Sequence, residues 1–265
     1  MSFKLAFSTL RWKNPELEPA LEELKQAGWE GWECRLPLDW LGTPKRLRQV
    51  CANVGLPMGV YTAGGSPDSR DYENVERNKR RIEFAAEMGC DCLMYMNGEK
   101  PQDRAVTQDD LRYAAEGAEQ WAGYAEPFGL ELSYHIHTNL LVDTIEDWRF
   151  YMSLLKKAKL CIDVSHAQLW GYDAVASLRD FRSQLNYVHV QDYSSTSRRD
   201  DGYYLPVWCD VGVSEAVDFP GVAKVLQEIG YQRWVTAVPG EPIVEPLEEA
   251  RRSKATVEYL RRIGF

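Results

Sequence analysis

Two hydrophobic periods alternate along the chain. Short apolar runs rich in β-branched and aromatic residues read as strands and begin at Phe3 (FKLAFS), Trp29 (WEGWECR), Pro57 (PMGVYT), Asp91 (DCLMYM), Leu130 (LELSYHI), Lys159 (KLCIDV), Asn186 (NYVHVQ) and Arg233 (RWVTAV). After each, apolar residues return at helical spacing: Leu17 to Ala27, Pro44 to Val54, Tyr72 to Met88, Gln108 to Phe128, Thr144 to Lys156, Asp173 to Phe181, Pro220 to Ile229 and Pro246 to Ile263. Gly28, Gly55, Gly89 and Gly230 close four of these stretches, where a helix end turns left-handed.

Eight strand–loop–helix units predict an α/β fold, a single (β/α)8 TIM barrel over residues 1–265. A doubly wound open sheet fits less well, because it usually carries a glycine-rich phosphate turn after its first strand, and here that turn reads Ser8-Thr9-Leu10-Arg11-Trp12. No linker or shift of composition marks a second domain. Tyr193 to Asp218 shows neither period and is expected to be a long irregular loop at the catalytic mouth.

Composition narrows the possible partners. With 45% apolar and 27% charged residues the chain can bury a core, which excludes intrinsic disorder. Its net charge of -9 repels polyanions, so no nucleic-acid role is expected. No apolar run approaches the length of about 20 residues that a membrane span requires, so no membrane role is expected either. Cys34, Cys51, Cys90, Cys92, Cys161 and Cys209 are scattered, and no signal peptide begins the chain, which leads us to expect reduced thiols and a cytoplasmic protein. Cys90-Asp-Cys92 lacks the spacer of a zinc ribbon.

The chemistry gathers at strand ends. All four histidines fall there: His135 and His137 on the fifth strand, His166 just past the sixth, and His189 on the seventh. Barrel loops open on one face, so these side chains can converge despite their separation in sequence. His135 and His137 differ by two and project to the same side; if Tyr134 and Ile136 face the helices, both histidines face the lumen. Asp163-x-x-His166 and His189-x-x-Asp192 add carboxylates beside imidazoles, a combination suited to a divalent ion such as Zn, Mn or Co. Glu33 is either an ion-paired barrel residue or a further catalytic carboxylate, and Arg35 is expected to meet a neighbouring carboxylate or the substrate. Among the aromatics near the mouth, Trp170 and Trp208 are the expected substrate contacts, with Asp192 a polar one.

The strand ends Gly31-Trp32-Glu33, Tyr134-His135-Ile136-His137, Asp163-Val-Ser-His166, His189-Val-Gln-Asp192 and Trp234-Val-Thr-Ala resemble those of the xylose-isomerase-like TIM-barrel superfamily. The resemblance runs along nearly the whole chain, but only these strand ends are specific. It implies one divalent ion held by residues of strands five to eight, which assigns His135, Asp163 and His189 as ligands and His166 as a substrate contact. Two positions depart from the pattern: His135 stands where the family typically has a glutamate, as in the Tyr-His-x-His variant similar to the inosose dehydratase branch, and Val238 stands at the strand-eight ligand position. Three alternatives follow: Glu241, three residues on, reaches in from the loop, water completes the shell, or the metal is weak or absent.

The resemblance therefore implies an isomerase or epimerase that takes a proton from beside the carbonyl of a keto-sugar or keto-polyol through an enediolate, with His166, His137, Glu241 and Glu33 as candidate acid, base or substrate contacts. A dehydratase or lyase is the second expectation, favoured by the missing epimerase glutamates. A non-catalytic barrel that binds a sugar or a partner is the third, supported by Val238. Three-metal nuclease chemistry needs more histidine and glutamate ligands than four histidines provide. Relatives in the superfamily suggest a homo-oligomer.

Overall fold

The computed structural model describes residues 3–64, 71–96 and 98–265. Ten strands are present: β1 (Lys4–Ser8), β2 (Gly31–Cys34), β3 (Met58–Gly64), β4 (Cys92–Met96), β5 (Glu131–His135), β6 (Lys159–Asp163), β7 (Leu185–Val190), β8 (Asp192–Arg198), β9 (Tyr204–Cys209) and β10 (Trp234–Ala237). Eight of them, in the order β1-β10-β7-β6-β5-β4-β3-β2, form a closed barrel. Closure comes from β1, which pairs in parallel with β10 on one side and β2 on the other. Sequence and structure thus agree on a (β/α)8 barrel.

The outer ring comprises α1 (Leu17–Ala27), α2 (Leu38–Leu41), α3 (Pro44–Val54), α4 (Tyr72–Met88), α5 (Gln108–Ala125), α6 (Ile145–Leu154), α7 (Val164–Leu169), α8 (Ala174–Asp180), α9 (Phe219–Glu228) and α10 (Pro246–Ile263). Gly28, Gly55, Gly89 and Gly230 all have positive φ, as their places predicted. The stretch read as one helix from Gln108 to Phe128 breaks at Ala125 into a short 3-10 turn, where Pro127 cannot continue the α-helical ladder. Thr144 caps α6 instead of belonging to it. No helix among the described residues is long and apolar enough to cross a membrane.

Strand parity sorts the lumen into layers. Ala6, Val60, Cys92, Met94, Cys161, Tyr187 and Trp234 form a buried cluster of their own inside the barrel. The Trp234 ring occupies space that a Cβ on Gly31 or Gly59 would claim, so those glycines make room for it. Two residues beyond Ala6, Cys161, Tyr187 and Trp234, towards the carboxyl ends of their strands, stand the polar Ser8, Asp163, His189 and Thr236, and Glu33 on β2 and His135 on β5 are polar and buried as well. The apolar floor thereby holds a polar layer under the mouth.

The segment after β7 differs from expectation. In place of an irregular loop it folds as an antiparallel ribbon, with Asp192 opposite Cys209 and Arg198 opposite Tyr204, turning through Gly202 at φ 84°. Its first strand is mostly exposed beyond Tyr193, so Ser194 to Arg198 carry no hydrophobic alternation by which a strand is recognised. The ladder hydrogen bonds define it instead.

Candidate metal and acid–base site

Asp163 ends β6 and caps α7. Its Oδ1 accepts from the Ser165 amide (3.0 Å), the Ser165 hydroxyl (2.5 Å) and the His166 amide (3.4 Å). That cap brings His166, three residues later, back over the strand end. The second oxygen, Oδ2, lies 3.7 Å from His135 Nε2, 3.9 Å from His189 Nδ1 and 4.0 Å from His166 Nε2. All three exceed hydrogen-bond length, and those to His135 and His189 suit donors arranged around one ion at about 2.0–2.2 Å from each. Asp163, His135, His166 and His189 are at most 2% exposed.

Burial keeps His135, His137 and His166 neutral. It pushes His135 and His137 down to about 3 and His166 to about 4, more than neighbouring Asp163 can offset. For Asp163 burial acts upward, but the surrounding imidazoles and the His135 contact outweigh it and hold the carboxyl well below its usual range. The centre therefore sets the Asp163 carboxylate beside the neutral imidazoles of His135 and His166. Neither ring nitrogen of His135, nor Nδ1 of His189, is hydrogen-bonded among the described residues. Buried polar atoms without a partner are costly, and a bound cation would satisfy these. The residues fit a divalent ion.

A second donor set overlaps the first. Cys161, two residues before Asp163 on the same face of β6, brings its thiol with His135 and His189 into a group whose ligand atoms lie within 4.8 Å of one another. Burial raises that thiol well above its ordinary value, whereas Asp163 offers an oxygen that is already ionised. We therefore take Asp163 as the anionic donor.

Hydrogen-bond partners fix three tautomers. His189 Nε2 donates to Glu33 Oε2 at 2.6 Å, which leaves the Nδ1 lone pair facing Asp163. His137 Nδ1 lies 2.6 Å from the Thr138 carbonyl, which can only accept, so Nε2 carries the lone pair. The Thr138 amide donates to His166 Nδ1 at 3.2 Å, so the neutral ring bears its proton on Nε2. The rings of His137 and His166 are 4.0 Å apart between centroids. A groove of about 530 Å3, lined by Lys100, His137, Thr138, Asn139, Arg199 and Tyr203 among others, opens beside His137.

Glu33 is fully buried and faces His189 rather than the mouth. Ser8 Oγ donates to Oε1 at 2.6 Å and Arg35 Nε at 2.7 Å; the Tyr187 hydroxyl donates to Oε2 at 2.6 Å. With His189, two donors occupy each oxygen. Burial acts to raise the Glu33 pKa, but Arg35 and His189 prevail and hold it well below the usual value. Of the two expectations for Glu33, its contacts are those of the ion-paired barrel residue, with both carboxylate oxygens already engaged. Arg35 meets the carboxylate that was expected for it.

The remaining expected contacts divide. Trp208, on β9, stands edge-on to His166 with ring centroids 5.2 Å apart and belongs to the site wall. Trp170 turns away, donating its indole N–H to Asp143 Oδ1 at 3.1 Å and packing near Trp148. Asp192 is consumed locally by the amides of Tyr193, Gly212 and Ser214 and by the Ser214 hydroxyl, so it anchors the ribbon base instead of meeting substrate. Glu241 is exposed, its amide bonded to the Trp208 carbonyl, and it does not fill the position of the buried Val238. Thr138, Tyr187 and Ser8 were not anticipated. Tyr187 had a signal, lying two before His189 on the same face, but nothing in the sequence reveals which backbone atoms meet His137 and His166.

Comparisons with known proteins follow the same lines. The family model described as xylose isomerase-like TIM barrel matches residues 21–263. Among curated proteins, the rhizopine catabolism protein MocC of Rhizobium meliloti is 25% identical over 268 residues, covering 89% of this chain and 81% of that protein. An inosose dehydratase of Geobacillus kaustophilus is 23% identical over 297 residues, covering 98% and 94%. Among solved structures, the IOLI protein with a bound zinc atom superposes with a TM-score of 0.78 at 17% identity, over 98% of this chain and 99% of that one.

Proposed function

The chain belongs to the xylose isomerase-like TIM-barrel family, and from that premise we propose that it is a carbohydrate lyase that dehydrates a keto-polyol. His135, Asp163 and His189 form the metal centre in this reading. Lewis acidity that polarises the substrate carbonyl is what a Zn, Mn or Co ion bound by these three residues supplies.

The observation that carries the reading is the opposed tautomers of His137 and His166 at one side of the centre. His137 Nε2, held in its basic form by burial, takes the proton from the carbon beside the carbonyl. His166, neutral and protonated on Nε2, donates a hydrogen bond to the oxygen on which negative charge develops. The proton on His137 then passes to the β-hydroxyl, the C–O bond breaks and water leaves, giving an unsaturated ketone. Trp208 walls this side of the site, and the groove over His137 admits the substrate.

Epimerisation needs a second base on the opposite face of the enediolate. The strand-eight position that would supply one is Val238, and Glu241 is exposed. Isomerisation, in which His137 returns the proton to the neighbouring carbon, is the second reading, because a lone base serves it equally well. The relatives named inosose dehydratase favour elimination.

The test is incubation with Zn, Mn or Co and a panel of inososes and keto-sugars in deuterated water. Elimination yields an absorbing enone or diketone. Deuterium at the α-carbon without that chromophore indicates isomerisation, and absence of exchange from every substrate would falsify the enzymatic reading.

A further inference from the structure

Glu33 sits beneath the metal centre rather than in it. Its Oε2 receives His189 Nε2 at 2.6 Å, and the three other donors to the carboxylate come from three different strands or strand ends: Ser8 on β1, Arg35 just past β2 and Tyr187 on β7, whose hydroxyl also lies 2.6 Å from Thr236 Oγ1 on β10. Arg35 balances the charge of Glu33, so an ionised carboxylate persists in an interior that otherwise penalises it. Packing alone does not account for this arrangement: a buried carboxylate with four donors is an expensive way to fill space, and it aims at a ring whose other nitrogen has no hydrogen-bond partner among the described residues.

We propose that Glu33 is a positioning residue for the metal centre, holding His189 in the tautomer and orientation that present Nδ1 as a ligand. It acts through His189 and does not touch the substrate. A ligating imidazole donates its other N–H to a carboxylate in many metal sites, which fixes the ring and raises its basicity, and losing such a partner costs about 10–100-fold in metal affinity. With Val238 at the strand-eight position, the site has fewer charged ligands, so orientation of the remaining three matters more. This inference rests on the reading of His135, Asp163 and His189 as the metal centre.

Zinc titration by calorimetry separates the two ideas, using chelator-stripped wild type, Glu33→Gln and Asp163→Asn. The expected result is strong binding by wild type, severe loss in Asp163→Asn, and about 10–100-fold weaker binding in Glu33→Gln. Equal affinity of Glu33→Gln and wild type overturns the positioning role while leaving the metal centre intact. Wild type without zinc affinity overturns both. If Glu33→Gln does not fold, 15N-histidine NMR of the wild type decides: His189 protonated at Nε2 is expected, and protonation at Nδ1 instead refutes the proposal. A purely structural Glu33 would move the melting temperature but neither of these readouts.

Discussion

His137 and His166 stand 4.0 Å apart between ring centroids, and a single residue, Thr138, sets their tautomers in opposite senses through its carbonyl and its amide. One ring consequently offers a lone pair at Nε2 and the other a proton, without either being charged. Before substrate is engaged, burial disfavours an imidazolium at either ring, so backbone placement decides which ring presents the lone pair and which the proton.

This division predicts distinct losses. His137→Asn is expected to lower α-proton exchange about 10²–10⁴-fold, the range for a lost general base. His166→Asn is expected to lower turnover about 10²–10³-fold, as removal of one oxyanion donor does. Deuterium incorporation followed by NMR measures both, and exchange at the wild-type rate in His137→Asn would reassign the base.

Asp163→Ala removes the carboxylate that faces His135, His166 and His189. Metal content by elemental analysis is expected to fall to background, and turnover with it. Zinc at about a hundredfold above its dissociation constant is expected to stabilise wild type by about 2.7 kcal/mol and the variant by none, read as a shift in melting temperature.

Glu241 and Trp208 provide a contrast at the mouth. Glu241→Gln is expected to leave metal affinity and kcat/KM within about twofold of wild type, since surface changes away from such features have small effects. Trp208→Ala opens the wall beside His166 and is expected to raise KM. Steady-state kinetics on the substrate identified in the deuterium experiment measures both, and a large loss in Glu241→Gln would return that residue to the site.

A buried carboxyl away from the site gives a pH-dependent stability. Glu249, 1% exposed, accepts the Trp12 indole N–H at 2.8 Å, and its Oε1 has no partner among the described residues. Burial raises its pKa from 4.5 to about 7, partly countered by Trp12 and Arg252. The folded protein therefore holds the proton more tightly than the unfolded chain. The stabilisation is complete below pH 4.5 and is lost as pH rises through about 7. Glu249→Gln is expected to melt higher than wild type at pH 8, by about 1–3 kcal/mol in stability, and to match it at pH 4. Thermal unfolding at the two pH values measures this, and equal melting at pH 8 would contradict it.

The barrel was legible because its signals are local. Period-two runs such as FKLAFS and glycines such as Gly28 and Gly55 encode strands and helix ends whatever lies beyond them in space. Parity also put His135 with His137, and His189 with Gln191, on one face of their strands, since side chains two apart on a strand share a face. The ribbon at Asp192–Cys209 was hidden because its first strand is too exposed to show an apolar alternation.

What the sequence determined by itself was the order of elements and the rim at which polar side chains arrive. The tertiary structure decided what those side chains face. Glu33 and His189 are 156 positions apart, and Trp170 turns to Asp143 rather than to the centre. Barrel closure and loop packing set such contacts. They depend on the relative placement of whole strands and loops, which no local pattern of residues encodes.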